Sequence, residues 1–174
     1  MIGNPTTIGG IPVPSDAPLF LAFIALHIAI GLTAVVAGAV AMLSRKERGR
    51  HPMAGTVYYW ALVAVFVTMS VLAISRWSED YHLFVLGALS FVAATIGRRA
   101  RRRLWSSWPR IHMTGMGASY TLMLTAFYVD NGPNLSLWRE LPPLAFWILP
   151  TLVGAPILVN ALLRHPLVKR HGST

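Results

Sequence analysis

Long apolar runs separated by short polar stretches set the pattern of this chain. They cover about residues 18–43, 52–75, 81–97, 109–129 and 143–163. Each is too long for a core strand and close to the ~20 residues that a helix needs to cross a hydrocarbon layer. The pattern predicts an all-α integral membrane protein with five transmembrane helices. Residues 1–17, rich in Gly, Pro and Thr, read as a short irregular extracytoplasmic lead-in, and residues 164–174 as a basic cytoplasmic tail. Pro18 suits the first position of a helix. Arg76 to Asp80 read as a tight turn, and Asp130-Asn131-Gly132-Pro133-Asn134 as a stronger one. Ala34 and Gly38, four residues apart, permit close helix approach in lipid. Pro150 and Pro156 bracket Gly154 in the last run. Each removes a backbone hydrogen bond, freeing the carbonyls of Phe146 and Leu152, so the fifth helix is expected to kink or to open a cavity there.

Composition sharpens this picture. Of 174 residues, 55% are hydrophobic and only 12% charged, with a mean hydropathy of +0.56. A net charge of +9 would suit a nucleic-acid partner, but the charges lie in short loops with no folded module to orient one. Thirteen of the fifteen Lys and Arg residues fall in the segments 44–51 and 98–110 and in the tail, against Arg76 and Arg139 on the other face. Five of the six acids accompany those two. This asymmetry predicts a bacterial cytoplasmic-membrane protein with its N-terminus outside and C-terminus inside. Trp77, Tyr81, Trp105, Trp108, Tyr128 and Trp138 near the run ends fit an interfacial aromatic belt. The basic run from Arg98 to Arg103 should attract anionic lipid headgroups, at roughly 1 kcal/mol per residue near the surface. The chain opens without the basic segment of a cleaved signal peptide. With no cysteine, disulfides, thiolate metal sites and covalent haem attachment are excluded.

Chemistry must then come from few residues. Span interiors hold no catalytic carboxylate, and no Ser–His–Asp pattern, phosphate loop or dinucleotide fingerprint appears. The histidines are orderly: His27, His51, His82 and His112 occupy the first four runs in turn, alternating between outer and inner ends. His51 and His112 share a setting. Each follows basic residues, opens an apolar run, and has glycine three to five positions later and tyrosine eight positions later. Two imidazoles on facing helices can hold a b-type haem, and the adjacent Arg50 and Arg110 could bind its propionates. Tyr58 falls within about 20° of His51 on a helical wheel. Gly55, Gly115 and Gly117 would leave room for a flat macrocycle or for a neighbouring helix. Met113 and Met116 beside His112 admit a softer metal. The plainer reading of His51 and His112 is a polar anchor at the interface. His27, ~15 Å into its run, and His82, ~5 Å into its own, make a poorer second pair. His165 and His171 read as tail residues.

The segments His51-x-x-x-Gly55-x-x-Tyr58 and His112-Met113-x-Gly115-Met116-Gly117-x-Ser119-Tyr120 resemble the bacterial membrane proteins of the domain-of-unknown-function family numbered 2306. So do Thr125-Ala126-Phe127-Tyr128-Val129-Asp130-Asn131-Gly132 and Leu137-Trp138-Arg139-Glu140-Leu141-Pro142. The likeness covers about residues 20–165. Where members commonly have Arg after the first His, this chain has Pro52. The resemblance implies a small inner-membrane protein and adds no activity.

Three functional readings follow. The first is a b-type haem or metal protein of electron transfer, with His51 and His112 as axial ligands. The second is a non-enzymatic membrane subunit or assembly factor with structural histidines. The third is a transporter or a lipid- or quinone-binding protein using the Pro150–Pro156 segment. The spans read as two duplicated hairpins plus a fifth helix, a bundle small enough to be expected to oligomerise or join a larger complex.

Overall fold

A computed structural model describes residues 6–8, 11–13, 17–45, 49–136, 138–166 and 168. Five long helices dominate: α1 Pro18–Leu43, α2 Arg50–Ser75, α3 Trp77–Arg103, α4 Trp108–Asn131 and α5 Pro143–Arg164. A 3₁₀ turn, Gly132–Asn134, follows α4. Four of the helices, α1, α2, α3 and α5, are long and apolar enough to cross a membrane. The run at 109–129 predicts a crossing too, but α4 falls outside this set, since His112, Ser119, Tyr120 and three threonines dilute its apolar run.

The described residues of the lead-in are paired, where an irregular segment was expected. Strands β1 Thr6–Ile8 and β2 Ile11–Val13 pair antiparallel, with Thr6 opposite Val13 and Ile8 opposite Ile11. The overlooked signal is a Gly9-Gly10 pair between β-branched residues, a hairpin pattern in sequence.

The chain divides into two compact units, Met1–Ser75 and Arg76–Thr174. In the first, α1 packs on α2. The seam is mostly alanine: Ala34, Ala37, Gly38 and Ala41 are buried on α1, and Ala54, Tyr58, Ala61, Leu62, Thr68 and Ala73 on α2. Hydrocarbon supplies no hydrophobic force between helices, so short side chains that admit close van der Waals packing take its place. Leu26, Ile28, Leu32 and Val36 point away from the seam and are half or more exposed.

In the second unit α4 packs on both α3 and α5. A helix flanked twice by protein has less surface to offer lipid, which accounts for its polar content. Against α3 the contact is glycine on glycine. A Cβ on Gly115 would lie 2.6 Å from the Ala93 carbonyl oxygen and 2.9 Å from the Gly97 Cα. Against α5 the contact follows residues four apart, one ridge of the helix. Phe146 meets Gly132, Gly154 meets Thr121, and Leu158 meets Gly117. Pro150 is buried on the same ridge, and α5 is continuous through both prolines. The prolines therefore do not interrupt the helix.

α3 begins four residues before, and ends six residues after, the run that announced it. Glu79 and Asp80 in its first turn and Arg101 to Arg103 in its last oppose the helix dipole favourably. Arg76 at the N-cap pairs with Glu79 and lies 3.9 Å from Asp80. Its far end closes on Leu104 in the left-handed region (φ 49°, ψ 49°), and the Trp105 amide donates to the Ala100 carbonyl at 3.3 Å.

Candidate histidine sites

Each unit carries two of the four candidate histidines: His27 and His51 in the first, His82 and His112 in the second. His51 stands in the first turn of α2, and its Nδ1 lies 2.8 Å from the Ala41 carbonyl oxygen. A carbonyl only accepts, so Nδ1 carries the hydrogen. Ala41 lies two residues before Leu43, the last residue of α1, and the Ser44 amide donates to the Val40 carbonyl. His51 thus ties the first turn of α2 to the last turn of α1.

His112 repeats the arrangement in the second unit. Its Nδ1 donates to the Gly97 carbonyl at 3.1 Å, again from the first turns of one helix to the last turns of the preceding one. Here α3 runs six residues further, so the Gly97 carbonyl lies inside the helical ladder and accepts a second hydrogen bond. In both rings the neutral form carries its lone pair on Nε2.

His27 contacts a side chain instead. Its Nδ1 is 2.7 Å from the Thr68 hydroxyl oxygen, which also lies 2.9 and 3.0 Å from the Ala64 and Val65 carbonyl oxygens. His82 stands among rings instead, with centroids 5.7 Å from Tyr81 and 5.8 Å from Trp147 of α5.

The remaining expected residues divide. Arg50 and Arg110 are exposed, and Tyr58 is only 2% exposed. Tyr58 continues a buried stripe of α2 with Ala54, Ala61 and Leu62, so it is a core residue and does not line an open face. Gly115 and Gly117 serve helix contacts, with α3 and with Leu158 of α5, which decides between the two uses expected of them. Beside Gly55 there is open space. Among the described residues no three His, Asp or Glu side chains form a metal-binding group. His171 lies outside the described residues.

Sequence reasoning missed the partners. Ala41 and Gly97 act through backbone atoms and leave no residue-type signal. Thr68 had one, as a hydroxyl inside an apolar run. Ser90 and Ser119, both fully buried, had the same signal; the Ser90 hydroxyl donates to the Ser119 carbonyl at 2.7 Å, and Ser119 donates to Met116. Among the described residues every buried polar side-chain atom has a partner, as a water-free surrounding demands.

No family model, curated protein or solved structure matches this chain.

Proposed function

We propose that the protein is a membrane-embedded, b-type haem-binding protein of electron transfer, with His51 and His112 as its axial imidazoles. The observation that supports this reading is their common hydrogen bonding. Each ring gives its Nδ1–H to a backbone carbonyl of the preceding helix. Such a bond fixes the tautomer and orientation of a ligating histidine and raises the basicity of Nε2. Arg50 and Arg110, exposed one residue before and two residues before these histidines, would pair with propionates. Gly55 leaves one face of α2 uncrowded. The haem would supply one-electron chemistry, while the chain would orient it and exclude water. His27 and His82 are the weaker second pair.

The proposal includes the topology: five crossings, N-terminus outside, C-terminus inside, in a bacterial cytoplasmic membrane, as two duplicated hairpins plus α5. At ~36 Å, α4 is long enough to cross. Membership of the family numbered 2306 is proposed on the motifs quoted above.

Absorption spectra of the detergent-purified protein, oxidised and dithionite-reduced, test the assignment. The expected result is a Soret band and a sharp reduced α-band, both lost in His51→Ala and in His112→Ala. A featureless wild-type spectrum after expression with ample haem would sink it.

A second reading is favoured by the His51–Ala41 hydrogen bond. It fastens α1 to α2 whether or not metal is bound, so a non-enzymatic membrane subunit with structural histidines accounts for that contact equally. A colourless protein that co-purifies with a partner at fixed stoichiometry would support this alternative.

A further inference from the structure

The close α3–α4 contact leaves a groove along one side of the pair. It is lined by Ala93 and Ile96 of α3 and by Arg110, Ile111, Thr114, Gly115 and Ala118 of α4. Ala93, Gly115 and Ala118 supply short side chains or none, while Ile96, Ile111 and Thr114 are larger. From Arg110 to Ala118 the groove follows α4 for about 12 Å. Its lining is almost wholly apolar apart from one end, where Arg110 stands exposed and, among the described residues, without a carboxylate partner. Charge gathers at that end. Arg103, seven residues after Ile96, falls on the same face of α3 by helical spacing. Arg101 is held over the Trp108 ring at 4.4 Å. His112 is not among the lining residues, whereas Arg110, proposed above as a propionate partner, is.

We infer that this groove holds one anionic phospholipid, an acyl chain lying along Ile96, Ile111, Thr114 and Ala118 and the phosphate bound by Arg110. An apolar channel with one hydrogen-bonding wall residue matches a hydrocarbon chain better than a ring bearing carbonyls or hydroxyls. The cations at a single end match a negatively charged headgroup, and a guanidinium is suited to a phosphate through paired N–H donors. This goes beyond the diffuse attraction of a basic loop, because it commits to one lipid at one position. It rests on the membrane reading and needs no haem, and it gives Arg110 to a lipid phosphate in place of a haem propionate.

The test is native mass spectrometry of the delipidated, detergent-solubilised chain titrated with palmitoyl-oleoyl phosphatidylglycerol or with phosphatidylcholine of the same chains. The expected result is one retained phosphatidylglycerol, bound at least fivefold more tightly than phosphatidylcholine. Arg110→Gln should lower phosphatidylglycerol affinity about fivefold, one basic residue's share of headgroup attraction, and leave phosphatidylcholine unchanged. Thr114→Trp, at an exposed position on the groove wall, should weaken both lipids; Ala118→Leu provides the same obstruction should the tryptophan variant not fold. Arg164→Gln, which does not line the groove, should match wild type. Equal retention of the two lipids, or an Arg164→Gln loss as large as that of Arg110→Gln, overturns the site. Recovery of the chain without detergent in the soluble fraction would overturn the membrane reading itself. Loss of colour in His112→Ala with lipid binding intact would leave the two proposals separate.

Discussion

The hairpins α1–α2 and α3–α4 do the same job with different materials. Each joins two long helices by a short connection, basic in the first and Leu104 to Ser107 in the second, and each is fastened near that connection by a histidine donating to a carbonyl. The first hairpin builds its seam from alanines, and its glycines Gly31 and Gly55 face open space. The second brings Gly97 and Gly115 backbone to backbone and adds a buried serine bond beside them. The first turns its chain near a glycine with positive φ, Gly49 at 115°; the second uses a leucine, Leu104 at 49°. Identical sequence signals, a glycine near a histidine, therefore carry different weight in the two halves. What decides is whether another backbone occupies the place where a Cβ would go.

The largest expected effect comes from testing that difference directly. Gly115→Ala puts a methyl against the Ala93 carbonyl and the Gly97 backbone, neither of which can turn aside. It should cost about 1–3 kcal/mol or more, as overpacking of a tight contact does, read by reversible unfolding in mixed micelles. A wild-type unfolding curve for this variant would break the comparison.

Next comes the pair of histidine fastenings. His51→Ala removes the shorter of the two bonds, 2.8 Å to the Ala41 carbonyl, so apo-protein stability should fall by about 1–2 kcal/mol. His112→Ala removes a bond to a carbonyl that keeps its helical partner, and should cost about half as much. Equal losses would mean that the two bonds are equivalent and that the length of α3 beyond Gly97 is immaterial. Leu104→Gly should then gain about 1 kcal/mol by relieving a left-handed conformation that non-glycine residues enter at a cost, seen as a higher thermal midpoint. Gly49→Ala should lose a similar amount. The smallest effect is Gly55→Ala, which meets nothing and should gain up to about 1 kcal/mol in helix propensity. The same unfolding assay resolves its sign against that of Gly115→Ala.

The legible parts of this molecule were those governed by hydropathy. The bounds of α1 and α5 coincide with their apolar runs because the polar residues there also end the helix: Ser44 is extended, and Pro142 precedes the first turn of α5. For α3 the two criteria part. Arginines and acids mark where hydrocarbon ends, yet charges of the right sign at each terminus prolong the hydrogen-bonded ladder. Calling residues 76–80 a turn and 98–103 a loop confused a solvent boundary with a backbone one. In the candidate site, the equivalence of His51 and His112 was readable from their spacing. Their acceptors were not, since a backbone carbonyl looks the same under every residue. The choice between room for a ligand and room for a helix at Gly115 needed the third dimension, as did the burial of Tyr58.

The extension of α3 has a mechanical consequence. Its 27 residues make a rod about 40 Å long, roughly 10 Å more than a typical hydrocarbon layer. A rod longer than its layer must tilt or protrude, and the balance shifts with membrane thickness. Its arginine end resists being drawn into the hydrocarbon, so it acts as a stop that limits tilt. The arginines therefore ride on a stiff lever rather than a slack loop, and a thinner or thicker membrane would move them as a group relative to the headgroup plane.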